Sequence, residues 1–216
     1  MCKNYYNVLN APLFTSLPND TLIMQISPIP SLHILIGIFN HIWKAMENTS
    51  QECKDACHKF ALENNCIKED YWGKTFEGNE CVKLMKNISH KSFQDYLQIK
   101  PHVNALQKFN ILRKSVFGNT VSPDWHESYI NFCAFFQEIP NITKPLKVHI
   151  VFAHLPFFIN NFSKGRDLGY FSEQTGESIH QKFNPICERY KLKNIESEKY
   201  GNHLLRSVID FSSSNI

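Results

Sequence analysis

The stretch Ser31-Leu32-His33-Ile34-Leu35-Ile36-Gly37-Ile38-Phe39-Asn40-His41-Ile42-Trp43 decides the fold class. Leu32, Leu35, Ile36, Phe39 and Trp43 recur at the i, i+3, i+4, i+7 spacing that gathers apolar side chains on one helix face. Ser31 is suited to cap its N-terminus. Upstream, Pro12, Pro18, Pro28 and Pro30 punctuate residues 1–30, and few helices survive that density, so this part reads as an irregular arm.

Downstream the helical pattern keeps returning. Residues 50–64 set Cys53, Cys57, Phe60 and Ala61 on one side. Residues 71–79, with Gly73 and Gly78, predict a loop, and a short helix resumes over 80–86. Residues 91–98 and 101–117 read as helical, with Pro101 at a permitted first-turn position. After a Gly118-Asn119 turn, Pro123-Asp124 opens a helix through Tyr129, Phe132, Phe136 and Ile139. Pro145 opens another, carrying Val148, Phe152, Leu155 and Phe158 or Ile159. A turn over 165–169 precedes two last helices, 172–190 and 197–211. Strand signals are weak and no internal repeat is evident. The expectation is a mainly α chain: an arm (1–30), a helical region (31–144) and a C-terminal helical region (145–216).

Composition agrees. With 216 residues, 43% of them hydrophobic, the chain can bury a core. Seventeen Phe against eight Gly favour helices with bulky apolar faces over a glycine-punctuated barrel. A net charge of +3 permits a nucleic-acid partner without requiring one. No apolar run approaches the roughly 20 residues that cross a bilayer. The best candidate, residues 29–43, is interrupted by Pro30, His33, Asn40 and His41, so no membrane partner is expected. The opening Met1-Cys2-Lys3-Asn4-Tyr5-Tyr6 has no apolar signal-peptide region. With seven cysteines this predicts reduced thiols in an intracellular protein, and it makes the N-x-Ser/Thr patterns at Asn48, Asn87, Asn141 and Asn161 chance matches.

A few constellations can carry chemistry. His149 and His154 are five apart, about 500° of rotation on a regular helix, so their rings do not stack there. They converge on one ion if the helix is distorted near Pro156, or if one side chain reaches along the axis. Otherwise they are two polar residues of an amphipathic helix. A zinc ion would need two further ligands. Cys53 and Cys57, followed by His58, could hold a metal at i, i+4, or be buried thiols. Glu173 and Glu177 share a helix face. They form either a solvated helix opening or a ligand pair for a cation such as Mg2+. Phe117 ends a long helix beside Arg113 and Lys114. An aromatic next to cations can stack a displaced base while the cations meet phosphate, or it can be core. Lys83, Lys86 and Lys91 read as a solvated face.

Four stretches together resemble, in order, the C-terminal half of the catalytic core of Transib-type DNA transposases and the V(D)J recombinase descended from them. Pro30-Ser31-Leu32-His33-Ile34-Leu35-Ile36-Gly37 is similar to the family's "LH…G" helix entry. Phe76-Glu77-Gly78-Asn79-Glu80-Cys81-Val82-Lys83-Leu84-Met85 is similar to its Gly-Asn-x-x-x-Lys-Leu segment. His149-Ile150-Val151-Phe152-Ala153-His154 resembles its His-x4-His element, and Ser172-Glu173-Gln174-Thr175-Gly176-Glu177 its Ser-Glu-x-x-x-Glu element. The likeness covers roughly residues 30–190.

The resemblance implies an RNase-H-like fold interrupted by a helical insertion, in which two aspartates and a glutamate bind two Mg2+ or Mn2+ ions for attack on a phosphodiester. It makes Glu177 the catalytic glutamate, with Glu173 a nearby acid. It makes His149 and His154 half of a structural Zn2+ site, and Phe117 an aromatic for a flipped base. DNA would be the partner and the nucleus the location; oligomeric state stays open. The family's aspartates and Cys-x-x-Cys pair precede the "LH" helix. Here the first 30 residues hold no such pair and one acid, Asp20. The expectation is therefore a transposon-derived fragment, truncated at its N-terminus. It would carry the insertion and the last helices of the core without most of the sheet, and would be inactive alone. Zinc would bind weakly unless Cys2 or another thiol substitutes. A helical protein-interaction or scaffolding module is the other reading.

Overall fold

The computed structural model describes residues 29–69, 74–93, 95–118 and 120–161, then Ser163, Gly165, Arg166, Leu168, Gly169, Phe183, Pro185, Ile186, Glu188, Arg189 and residues 205–210. Most of the arm and most of the two expected last helices lie outside them. The described residues are mainly helical and contain no strand. One isolated antiparallel bridge joins Thr120 to Arg166.

Helix α1 (Ser31–Glu47) is the hub. The sequence stripe predicts one buried face. The helix has one: Ile34, Leu35, Ile38, Phe39, Ile42, Trp43 and Met46 are buried at helical spacing, Leu32 and Ile36 are half-buried, and His33 and Lys44 are exposed. This wide apolar face is what the neighbouring helices pack against, with His33, Asn40, His41 and Lys44 on the other side. Ser31 does not cap it. Pro30 holds the cap position with no side-chain bond, and Ser31 is the first helical residue, itself buried. The Ile34 N–H bonds the Pro30 carbonyl at 3.0 Å.

Around α1 pack α2 (Gln51–Glu63), α3 (Gly78–Asn87), α4 (Lys100–Val116) and α6 (Leu146–His149), while α5 (Trp125–Gln137) packs along α4. Helix α2 starts as its sequence predicts: Ser50 Oγ accepts from the Cys53 N–H at 3.2 Å. Its buried residues are Cys53, Cys57, Phe60 and Ala61. Helix α3 begins at Gly78, two residues before the expected start, because Glu77 and Glu80 form a reciprocal capping box. Residues 91–98 are not the predicted helix. They form two 3-10 turns, His90–Phe93 and Leu97–Ile99, with Phe93 and Ile99 turned into the core.

Asn40 fixes the loop ahead of α3. Its amide nitrogen donates to the Phe76 carbonyl at 3.0 Å, and its amide oxygen accepts from the Phe76 N–H at 2.8 Å. The Phe76 ring then packs edge-on against Phe39 and Trp43, at 6.0 and 5.5 Å. Between α4 and α5, Phe109 meets Phe132 at 5.0 Å and the buried hydroxyls of Ser115 and Ser128 lie 3.2 Å apart.

His102, in the first turn of α4, is 4% exposed and its Nδ1 has no hydrogen-bond partner. Burial pushes its pKa down to about 4, against a smaller opposing effect of a hydrogen bond to the Ile99 backbone. The folded chain therefore holds this ring neutral, whereas the unfolded chain protonates it near its ordinary value of about 6.5. Stability from this group is present above that value and is lost as pH falls toward 4. Urea melts from pH 7 to 5 are expected to show a decline that His102→Gln reduces; an unchanged decline in the variant contradicts the assignment.

Candidate functional site

Two features stand on α1. The first is a cleft of about 290 Å³. Leu32 and Leu35 of α1, Gly78, Asn79 and Val82 of α3, and Arg113 and Phe117 of α4 line it. Gly78 permits the close approach: a Cβ there would lie 2.8 Å from Leu32 Cδ1. Of the predicted DNA contacts, Arg113 and Phe117 are brought together on this cleft, one helical turn apart. Lys114 is exposed and is not part of the lining.

Arg113 is half-buried and oriented. Its Nε and Nη2 donate to Asn110 Oδ1 at 3.3 and 3.1 Å, and Asn110 Nδ2 donates to the Met85 carbonyl at 3.2 Å. Among the described residues no carboxylate pairs with it. Burial lowers its pKa from the ordinary value, yet a guanidinium stays charged in proteins. The cleft thus presents a held cation with no acidic partner among the described residues. Phe117 is the C-cap of α4, half-buried, with its ring edge-on to Phe109 at 6.3 Å.

The chain after α7 (Leu155–Asn161) returns over this end of α4. The Leu168 N–H bonds the Val116 carbonyl at 2.9 Å. Gly169 lies so close that a Cβ would stand 2.0 Å from the Gly118 carbonyl oxygen and 2.6 Å from that of Phe117.

The second feature is the imidazole pair. His149 ends α6, a π turn spans Ile150–His154, and α7 follows. The rings of His149 and His154 come together, 5.2 Å between centroids and nearly perpendicular. Both residues are exposed. The separation is that of an ordinary edge-to-face ring contact and is also compatible with two imidazoles on one tetrahedral ion. Among the described residues no group of three His, Cys, Asp or Glu could hold a metal ion. Helix α6 is seated against α1 at Gly37, where a Cβ would meet the Lys147 side chain at 2.0 Å. His41 Nε2, 2.9 Å from the Thr143 carbonyl oxygen, ties down the approach to α6.

Glu173 and Glu177 lie outside the described residues. Cys53 and Cys57 are core thiols: both are fully buried, Gln98 Nε2 donates to Cys53 Sγ at 3.2 Å, and burial pushes the Cys57 thiol up to about 12. His58 is exposed, and so are Lys83 and Lys86. Tyr129, read from the sequence only as an apolar-face residue, donates its hydroxyl to the Phe152 carbonyl inside the π turn at 2.7 Å. No local pattern signals that bond. Asn79 was legible only as part of a motif.

Gly169→Ala is expected to lower the melting temperature by several degrees, because its Cβ meets backbone that cannot yield; a cost of about 1–3 kcal/mol fits overpacking of this kind. An unchanged melting temperature would show that the crossing over α4 is loose. No protein-family model, curated protein or solved structure matches the chain.

Proposed function

We propose that the chain is a transposase-derived helical unit that binds DNA along the cleft between α1, α3 and α4 and does not cut it alone. The observation that carries this reading is a convergence. Leu32, Gly78 with Asn79, and Arg113 with Phe117 come from segments far apart in sequence, yet they line one cleft. Two of the stretches similar to the recombinase family supply the first three. The third, His149–His154, begins two residues after Lys147, whose side chain lies against Gly37 of the first. Arg113 is suited to a phosphate, and the exposed part of Phe117 to a splayed base.

In this reading the imidazole pair supplies two ligands of a structural Zn2+ and the others come from outside the described residues. Glu177 is the one acid of a Mg2+ or Mn2+ site that the resemblance assigns to this chain. A single carboxylate does not hold two divalent ions close together, so binding without cleavage follows. No described helix is long and apolar enough to cross a membrane.

A protein-interaction module is the second reading. It is favoured by Leu146 and Phe157, 71% and 44% exposed, on the helical segments either side of the imidazole pair.

A fluorescence-anisotropy titration of labelled DNA over a salt series separates the two. DNA binding through cations weakens steeply with salt, by about 0.9 in log–log slope per phosphate contact. Arg113→Gln is expected to flatten that slope by about one unit. Phe117→Ala is expected to cost about 1–3 kcal/mol on single-stranded DNA. With Mg2+ or Mn2+ the DNA stays intact. No binding at low salt, or nicking abolished by Glu177→Gln, contradicts the proposal.

A further inference from the structure

The imidazole pair exists because a helix changes its pitch between its two members. On a regular α-helix, residues five apart are separated by roughly 140°. Here the Leu155 N–H bonds the Ile150 carbonyl, five residues back, and the wider turn carries His154 round toward His149. π turns of this kind are rare and occur often at functional sites.

Two residues account for the turn. Pro156 has no N–H, and in a regular helix its ring crowds the carbonyl four residues before it, that of Phe152. Widening the turn just ahead of Pro156 relieves this contact. The Phe152 carbonyl has lost its α-helical donor, and the Tyr129 hydroxyl donates to it from α5 at 2.7 Å. The Phe152 ring is held by the same helix, edge-on to Phe132 and Phe136 at 6.1 and 5.6 Å, with Lys144 Nζ 5.2 Å from its centre. The π turn is thus imposed by its own proline and fastened to a neighbouring helix through a carbonyl and a ring.

We infer that Tyr129 and Pro156 are positioning residues that hold His149 and His154 as a two-nitrogen clamp for a divalent transition-metal ion. This rests on reading the pair as metal ligands. Neither residue touches the ion; they set the helical pitch that lets both imidazoles reach it.

The probe is Ni2+ alone, titrated calorimetrically into the full chain, with His149→Ala as the blank. Wild type is expected to bind one ion, and the blank to lose that binding. If wild type binds no more than the blank, the metal reading falls. Pro156→Ala lets the helix return to α pitch. It is expected to weaken Ni2+ binding about tenfold or more while the melting temperature holds or rises. A merely structural role would move the melting temperature and leave affinity alone. Tyr129→Phe keeps the ring and deletes the hydroxyl, and is expected to weaken binding in the same direction. A nuclear Overhauser contact between the two imidazoles, measured without metal, is expected in wild type and lost in Pro156→Ala. If wild type binds Ni2+ and Pro156→Ala binds it equally well with the contact retained, the positioning role is overturned while the metal reading stands.

Discussion

The Asn40 side chain carries a constraint on which the rest of the structure depends. It sits half-buried in the middle of α1, where an unanswered buried amide would cost about 1–3 kcal/mol. It is answered by the backbone of Phe76, donor to acceptor and acceptor to donor. The same pair of bonds satisfies Phe76, whose ring is also buried. One side chain thereby sets where α3 begins relative to α1. Gly78 follows two residues later against Leu32, and the cleft wall is in place. A purely apolar α1 would bury as well but would leave the loop before α3 without a fixed register.

From α1 the chain builds two sites with different logic. The cleft is a tertiary product: it needs the start of α1, the start of α3 and the end of α4. Arg113 is oriented by Asn110, which α3 orients through the Met85 carbonyl. The imidazole pair is a more local product: one segment with its proline and π turn carries both rings. What it takes from the fold is anchorage, through Gly37, His41 and Tyr129.

That difference explains what could be read from the sequence. Apolar periodicity placed α1, α2, α4 and α5 within a few residues, because their buried side chains repeat at helical spacing. The start of α3 was missed because its cap is a glutamate, where a hydroxyl or aspartate is the familiar signal. Residues 91–98 look helical in their apolar content but form two short 3-10 turns, a break that no local pattern signals. Arg113 and Phe117 share a helix face by spacing alone. Leu32 and Asn79 opposite them depend on tertiary approach, which no local pattern encodes. For the histidines, spacing left two ways to converge, and Pro156 flags a distortion without giving its form. Tyr129 was out of reach because its acceptor lies 23 residues away on another helix. Glu173 and Glu177 lie outside the described residues, so that part of the resemblance stays with the sequence.

DNA docking at the α1–α3–α4 cleft is tested most directly by amide NMR of the full chain titrated with a short DNA hairpin carrying unpaired bases. Shifts concentrated on Leu32, Asn79, Arg113, Phe117 and Gly118 are predicted, with Leu146 and Phe157 unmoved. Shifts confined to Leu146, Phe157 and their neighbours, or none at saturating DNA, would contradict it.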